Sequence, residues 1–174
     1  DFVDRWEEDV LIFIGLTSEH IAMFVLKDKA RMLALEWNIP LLPGSQLLPN
    51  LKQTKIEAKR IGYPVMLKST AGGGGIGITK CLDEIELEES FEKVKRQVLN
   101  NFGNDGVFVE KFILRARHIE VQAFGYGRGQ VLTIGERDCS CQRRNQKVVE
   151  ECPAPNLAFD TRQSLYCLLY TSDA

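Results

Sequence analysis

The sequence predicts an α+β fold dominated by an antiparallel sheet, and three observations carry that prediction. Short apolar runs rich in β-branched and aromatic residues, Val10 to Ile14 and Tyr63 to Lys68, end at glycine-containing loops, as buried strands do. Other stretches repeat their apolar residues at the spacing of a helix packed on one side. Beyond a run of glycines at 72–77, the chain reads mainly as alternating strand joined by tight turns.

In chain order, Val10 to Ile14 is a strand closed by Gly15. Thr17 or Ser18 then caps a helix carrying Ile21, Ala22, Val25 and Leu26, with Glu19 placed to suit the helix dipole. A second helix carries Ala30, Leu33, Ala34 and Trp37 and ends before Pro40, after which Pro43 and Gly44 mark a loop. A basic amphipathic helix over 51–61 leads through Gly62 into the strand Tyr63 to Lys68. Past the glycines come a short strand, Ile76 to Lys80, and a charged helix over 83–102 whose apolar side is Ile85, Leu87, Phe91, Val94 and Val98. Val107 to Phe112, His118 to Phe124 and Val131 to Glu136 read as strands, with a turn over 125–129. Neither an internal repeat nor a low-complexity linker is present.

Composition narrows the function classes. A net charge of -2 gives no basic excess for nucleic acid or an anionic membrane surface, so small molecules are the expected partners. No run approaches the roughly 18 apolar residues of a membrane-spanning helix. The acidic N-terminus lacks the pattern of a signal peptide, and a cytoplasmic location is expected. Five cysteines without a CxxC pair suit reduced thiols better than a disulfide framework or a zinc finger.

The run Gly72 to Gly77 is too glycine-rich for a simple turn, because each glycine adds conformational entropy that folding must overcome. Bare backbone N–H groups are useful where a polyanion must approach closely. Lys68, at the end of the preceding strand, can present a fixed positive charge to phosphate oxygens. A Walker loop is excluded by order: its lysine closes the glycine loop and a helix follows, whereas here the lysine comes first and a strand follows.

The segments Tyr63 to Lys68, Gly72 to Gly77, Val109 to Phe112, Arg117 to Gln122, Gly135 to Ser140 and Gln142 to Glu151, ending at Pro153-Ala-Pro155, together resemble the biotin carboxylase component of biotin-dependent carboxylases. That resemblance runs in consistent order from about Val10 to Leu157 and implies an ATP-grasp fold of the biotin carboxylase type, incomplete here. It implies a remnant of the preceding α/β domain over 1–27, a partial ATP-grasp domain over 28–160, and an unassigned end over 161–174. It also implies residue roles. Lys29 and Lys68 are the expected nucleotide-phosphate ligands, with Gly73, Gly74, Gly75 and Gly77 forming a flap over the phosphates. Glu110, Lys111 and Ile113 lie where the family holds adenine. His118, Glu120 and Gln142 line the ribose and phosphate region, and Lys147 with Arg144 serves catalysis beside bicarbonate and phosphate. Each has a plainer alternative: a strand-edge ion pair for Glu110 and Lys111, a structural histidine for His118, a solvated face for 142–147.

The implied activity is ATP-dependent carboxylation of biotin with bicarbonate, the biotin being borne on a carrier domain, in a full-length protein that is a homo-oligomer. Phe102 to Phe108, Asn145 and Pro153 to Leu157 resemble the urea-carboxylating branch of the family, with acyl-CoA and pyruvate carboxylases next and a non-catalytic ATP-binding module as the other alternative. In this family the Mg²⁺ carboxylates, the general base for bicarbonate and an arginine near biotin lie beyond 155, so no metal ligand is expected in these residues.

Overall fold

The computed structural model describes residues 17–24, 26–71, 76–125, 130–143 and 146–170. The expected strand Val10 to Ile14, the glycines Gly72 to Gly75, the turn over 126–129 and Arg144 lie outside the described residues. The chain divides into two compact units, Asp1–Phe112 and Ile113–Ala174.

In the first unit, local signals set the helix ends. Helix α1 (Ser18–Phe24) opens at Thr17, whose hydroxyl accepts from the His20 N–H at 3.2 Å. Helix α2 (Lys27–Glu36) closes at Asn38, which takes the left-handed conformation at φ 54°. Helix α3 (Leu51–Ile61) is capped by the Asn50 side chain, which accepts from Gln53 N. Helix α4 (Glu84–Phe102) begins with Asp83 accepting from Glu86 N at 2.9 Å while Glu86 accepts from Leu82 N at 2.7 Å. It stops at Gly103, whose φ of 66° suits glycine.

Strand β1 (Val65–Ser69) lies between β2 (Ile78–Cys81) and β3 (Val107–Lys111), antiparallel to both. The two-residue period of a strand sends Val65 and Leu67 to one face and Met66 and Lys68 to the other. The first face joins Cys81, Val107 and Val109 against Leu87, Phe91, Val94 and Val98 of α4 and Ala58 of α3, forming the core. Lys68 is therefore placed by the apolar residues that alternate with it.

Strand β2 starts two residues later than expected, at Ile78, because Ile76 and Gly77 form a turn. Ser69 N donates to Gly77 O at 2.8 Å, closing that turn. Gly77 has φ 75°, and a Cβ there would lie 2.4 Å from Ser69 Oγ and 2.7 Å from Val98 Cγ2.

The second unit is an antiparallel sheet of β4 (Ile119–Gly125), β5 (Val131–Arg143) and β6 (Gln146–Glu151), in that order, with helix α5 (Phe159–Tyr170). Strand β5 runs well past Glu136, where its apolar residues stop, because its later backbone pairs with β4 on one side and β6 on the other. Residues 142–143 and 146–151 of the polar stretch are thus paired antiparallel strand. Helix α5 runs through residue 160, and its Arg162 and Tyr166, one helical turn apart, both bond the carboxylate of Glu136 on β5.

Candidate functional site

Lys68 lies on β1 just before the glycine run, and its ammonium pairs with Glu110 Oε2. The other oxygen, Glu110 Oε1, takes the guanidinium of Arg31 from α2. Arg31 Nη2 also donates to the Leu42 carbonyl at 3.1 Å. Lys27, the first residue of α2, is near enough that the Lys68 charge adds to burial in pushing its pKa down, while Glu110 opposes both. The start of α2 is tied to the end of β1: Lys27 N donates to Thr70 O at 3.2 Å, and the Thr70 hydroxyl donates to Asp28. Two cations thus hold the buried Glu110 carboxylate, with Lys27 electrostatically coupled to it, an excess of positive charge suited to a polyanion.

Lys29, expected as a phosphate ligand, is exposed and borders a separate depression with Glu19, Met23, Met32, Leu33 and Glu36. Lys27 is the lysine of α2 whose charge is coupled to that of Lys68. Residues two apart on a helix differ by about 200° in direction, so the two lysines cannot share a side. The sequence did hold the signal. Lys27 and Arg31 fall at helical spacing with Ala30 and Ala34, on the side read as packed.

At the other expected positions of this unit, the structure commits much of the polar capacity to the protein. Both Glu110 oxygens hold cations. The Lys111 ammonium donates to the carbonyls of Gly62 at 2.7 Å and Tyr63 at 3.1 Å, and its main-chain N–H donates to Pro43 O at 2.8 Å. Gly77 is held in the packed turn already described. Gly73, Gly74 and Gly75 lie outside the described residues.

In the second unit, Gln142 and Lys147 are directly opposed across the β5–β6 hairpin. Gln142 Nε2 lies 2.7 Å from His118 Nδ1 and donates to Cys139 O at 2.8 Å. With the amide nitrogen as donor, Nδ1 accepts, and the imidazole proton sits on Nε2, 3.5 Å from Glu120. Lys147 Nζ bonds Glu120 Oε2 at 2.6 Å, which holds the Glu120 carboxyl below its ordinary range and the Lys147 ammonium above its own. Arg137 bridges Glu120 and Glu150. Arg117 bonds Asp138 at 2.8 Å, and the Ser140 and Arg117 hydrogen bonds lower Asp138 to about 2. His118, Gln142 and Lys147 are therefore brought together. Ile113 is exposed, and Arg144 lies outside the described residues. Arg117 and Arg137 had no assigned role in the sequence, because an arginine in an alternating polar strand looks like any solvated residue until its cross-strand partners are known.

Glu120, Cys139 and Glu150 place one ligand atom each within 4.8 Å of the others. Their chemistry does not suit Mg²⁺, which takes oxygen ligands. Arg137 and Lys147 already hold the carboxylates, and burial keeps the Cys139 thiol protonated by raising its pKa. All five cysteines are free. Among the described residues, no helix is long and apolar enough to cross a membrane.

An antiparallel sheet whose central strand delivers a lysine to a glycine run, followed by a second antiparallel sheet bearing a His–Gln–Glu–Lys cluster, defines an ATP-grasp domain of the biotin carboxylase type. Residues 27–168 match the carbamoyl-phosphate synthase L chain, ATP-binding domain family, and the chain belongs to it. Over 165 residues it is 48% identical to the urea amidolyase of Lachancea kluyveri, covering 95% of this chain and 9% of that protein. It superposes with a TM-score of 0.95 and 38% identity on the biotin carboxylase of Campylobacter jejuni, solved as a β-γ-ATP complex, over 98% of this chain and 39% of that one. The biotin carboxylase domain dimer of Hydrogenobacter thermophilus 2-oxoglutarate carboxylase, solved with MgADP, ADP and bicarbonate, superposes with a TM-score of 0.93 and 38% identity, over 98% of this chain and 38% of that one. The chain thus spans well under half the length of these relatives.

Proposed function

We propose that the chain is the ATP-binding part of a biotin carboxylase that uses ATP and bicarbonate to carboxylate biotin on a carrier domain, in a homo-oligomeric enzyme that passes the carboxyl group to urea to give allophanate. The observation that carries the ATP reading is Lys68 at the strand end leading into the glycine run, with the start of α2 tied to that strand end through Lys27 N and Thr70 O at 3.2 Å. The relatives' nucleotide complexes support it, and the 48% identity to a urea amidolyase supports urea as the acceptor.

In this reading Lys27 takes the phosphate role expected of Lys29, and Lys68 is its partner, with Gly73, Gly74 and Gly75 supplying bare N–H groups. The main chain at Ile113 and the Glu110 carboxylate serve the adenine edge; before nucleotide binds, that carboxylate pairs with Arg31 through Oε1 and with Lys68 through Oε2. His118 and Gln142 serve the ribose. Lys147 and Arg144 neutralise charge where two anions, bicarbonate and ATP, would otherwise repel. Mg²⁺, when bound, adds charge neutralisation on the phosphates. Its carboxylates, and the biotin contacts, belong to other parts of the enzyme.

The test is ATP hydrolysis by the full-length protein with biotin and bicarbonate present. Urea is expected to stimulate it, and Lys68→Met to lower kcat/KM for ATP by about 100-fold. Stimulation by an acyl-CoA or pyruvate instead of urea reassigns the acceptor. A Lys68→Met protein that hydrolyses ATP normally overturns the site. The 174 residues alone are expected to turn over little or no ATP, because the phosphoryl charge is incompletely neutralised; biotin-dependent turnover by them would refute this.

A further inference from the structure

Glu110 meets its two cations through different oxygens, Arg31 at Oε1 and Lys68 at Oε2. The side chains of Arg31 and Glu110 are 15% and 10% exposed, against 27% for Lys68, so the lysine is the outermost of the three. The arginine end of this chain is built in. Its Nη2 is bonded to the Leu42 carbonyl, and a Cβ on Gly44 would stand 2.5 Å from Nη2, 2.9 Å from Cζ and 3.2 Å from Glu110 Cγ. The guanidinium and the carboxylate therefore pack against bare backbone, in space that a side chain at 44 would fill.

We propose that Arg31 is a positioning residue that retains the Glu110 carboxylate when Lys68 turns from it to a phosphate, so that nucleotide binding exchanges one anionic partner of Lys68 for another. The inference rests on the ATP reading above. Without Arg31, the carboxylate depends on the nearby lysines alone, in surroundings where an unpaired charge is costly, and it competes with phosphate for Lys68. With Arg31 it stays paired throughout, and the lysine is released at little cost. A guanidinium suits the task because its fork reaches the carboxylate and the Leu42 carbonyl at once, which a point-like ammonium does not.

Equilibrium binding of MgATP to the full-length protein tests this through Arg31→Met, Glu110→Gln and the double variant. Arg31→Met is expected to weaken binding about tenfold, the loss of one charge-assisted contact. In the Glu110→Gln background the same replacement is expected to change binding less than about twofold, because the competing carboxylate is gone. Arg31→Lys restores part of the loss. An equal loss in both backgrounds, or none in either, overturns the proposal. Should Arg31→Met fail to fold, Gly44→Ala carries the same comparison, since it displaces the guanidinium without removing its charge. Failure of the unaltered protein to bind MgATP overturns the ATP reading and this inference together, whereas normal binding by the unaltered protein and by Arg31→Met overturns this inference alone.

Discussion

In residues 1–112 the sheet rests on an apolar layer, with Val65, Leu67, Val107 and Val109 packed against Leu87, Phe91, Val94 and Val98. In residues 113–174 the fully buried side chains among those described are Glu136, Cys139 and Ala154, while Phe124, Leu132, Ile134 and Val148 stand exposed. That second sheet is laced instead by charge: Arg117 to Asp138, Arg137 to Glu120 and Glu150, Lys147 to Glu120, and Arg162 to Glu136. Apolar burial responds weakly to pH and salt, whereas ion pairs respond to both. The two units should therefore fail under different stresses, and hydrogen exchange read segment by segment can separate them.

The largest expected effect is in the first unit. Phe91→Ala leaves a cavity under β1 and is expected to cost about 3–5 kcal/mol, seen as lost amide protection across β1, β3 and α4. Next is Arg162→Met in the second unit, expected to cost about 1–3 kcal/mol because it deprives the buried Glu136 of one of its two side-chain partners, with protection falling in β5 and α5. If protection in the first unit falls equally, the contrast between the units is wrong.

Acid should sharpen it further. Asp138, Glu120 and Glu136 all have folded pKa values below the ordinary carboxylate range. Their contribution is complete above the unfolded values and is lost as pH falls toward the folded ones, so lowering pH from about 7 to about 4 should begin to loosen the second unit. The first unit has depressed carboxyls too, Glu84 beside Lys59 and Asp105 beside Lys95, but they lie on its surface over an apolar core, and its loss should be smaller. The smallest effect is expected from salt: about 1 M in place of about 0.1 M should lower protection slightly in β4 to β6 and less in β1 to β3, whose cross-strand pair Lys68–Glu110 is more shielded from solvent.

The same contrast governs what could be read in the sequence. The first unit was legible because hydrophobic periodicity is its cause: α3, α4, β1 and β3 follow from apolar spacing, and with them the placement of Lys68 on the face away from the core. The second unit is paired through polar residues, so periodicity fell silent at Glu136 although the strand continues to Arg143. The hairpin partner β6 is exposed throughout and gave no alternation to find. His118, Gln142 and Lys147 were found by resemblance, and their meeting depends on a register that no local pattern encodes. The proposal of Lys27 in the role expected of Lys29 has another cause: the resemblance names a residue by its neighbours in sequence, while helix geometry sets which side of α2 it occupies.

The packing at Gly77 fixes that position by itself. Its requirement is steric, set by Ser69 and Val98, and is complete before any ligand arrives. A descendant of this chain that had given up its nucleotide would still be held to glycine at 77. Persistence of glycine at that position is thus a record of descent from the fold, whether or not the chemistry is kept.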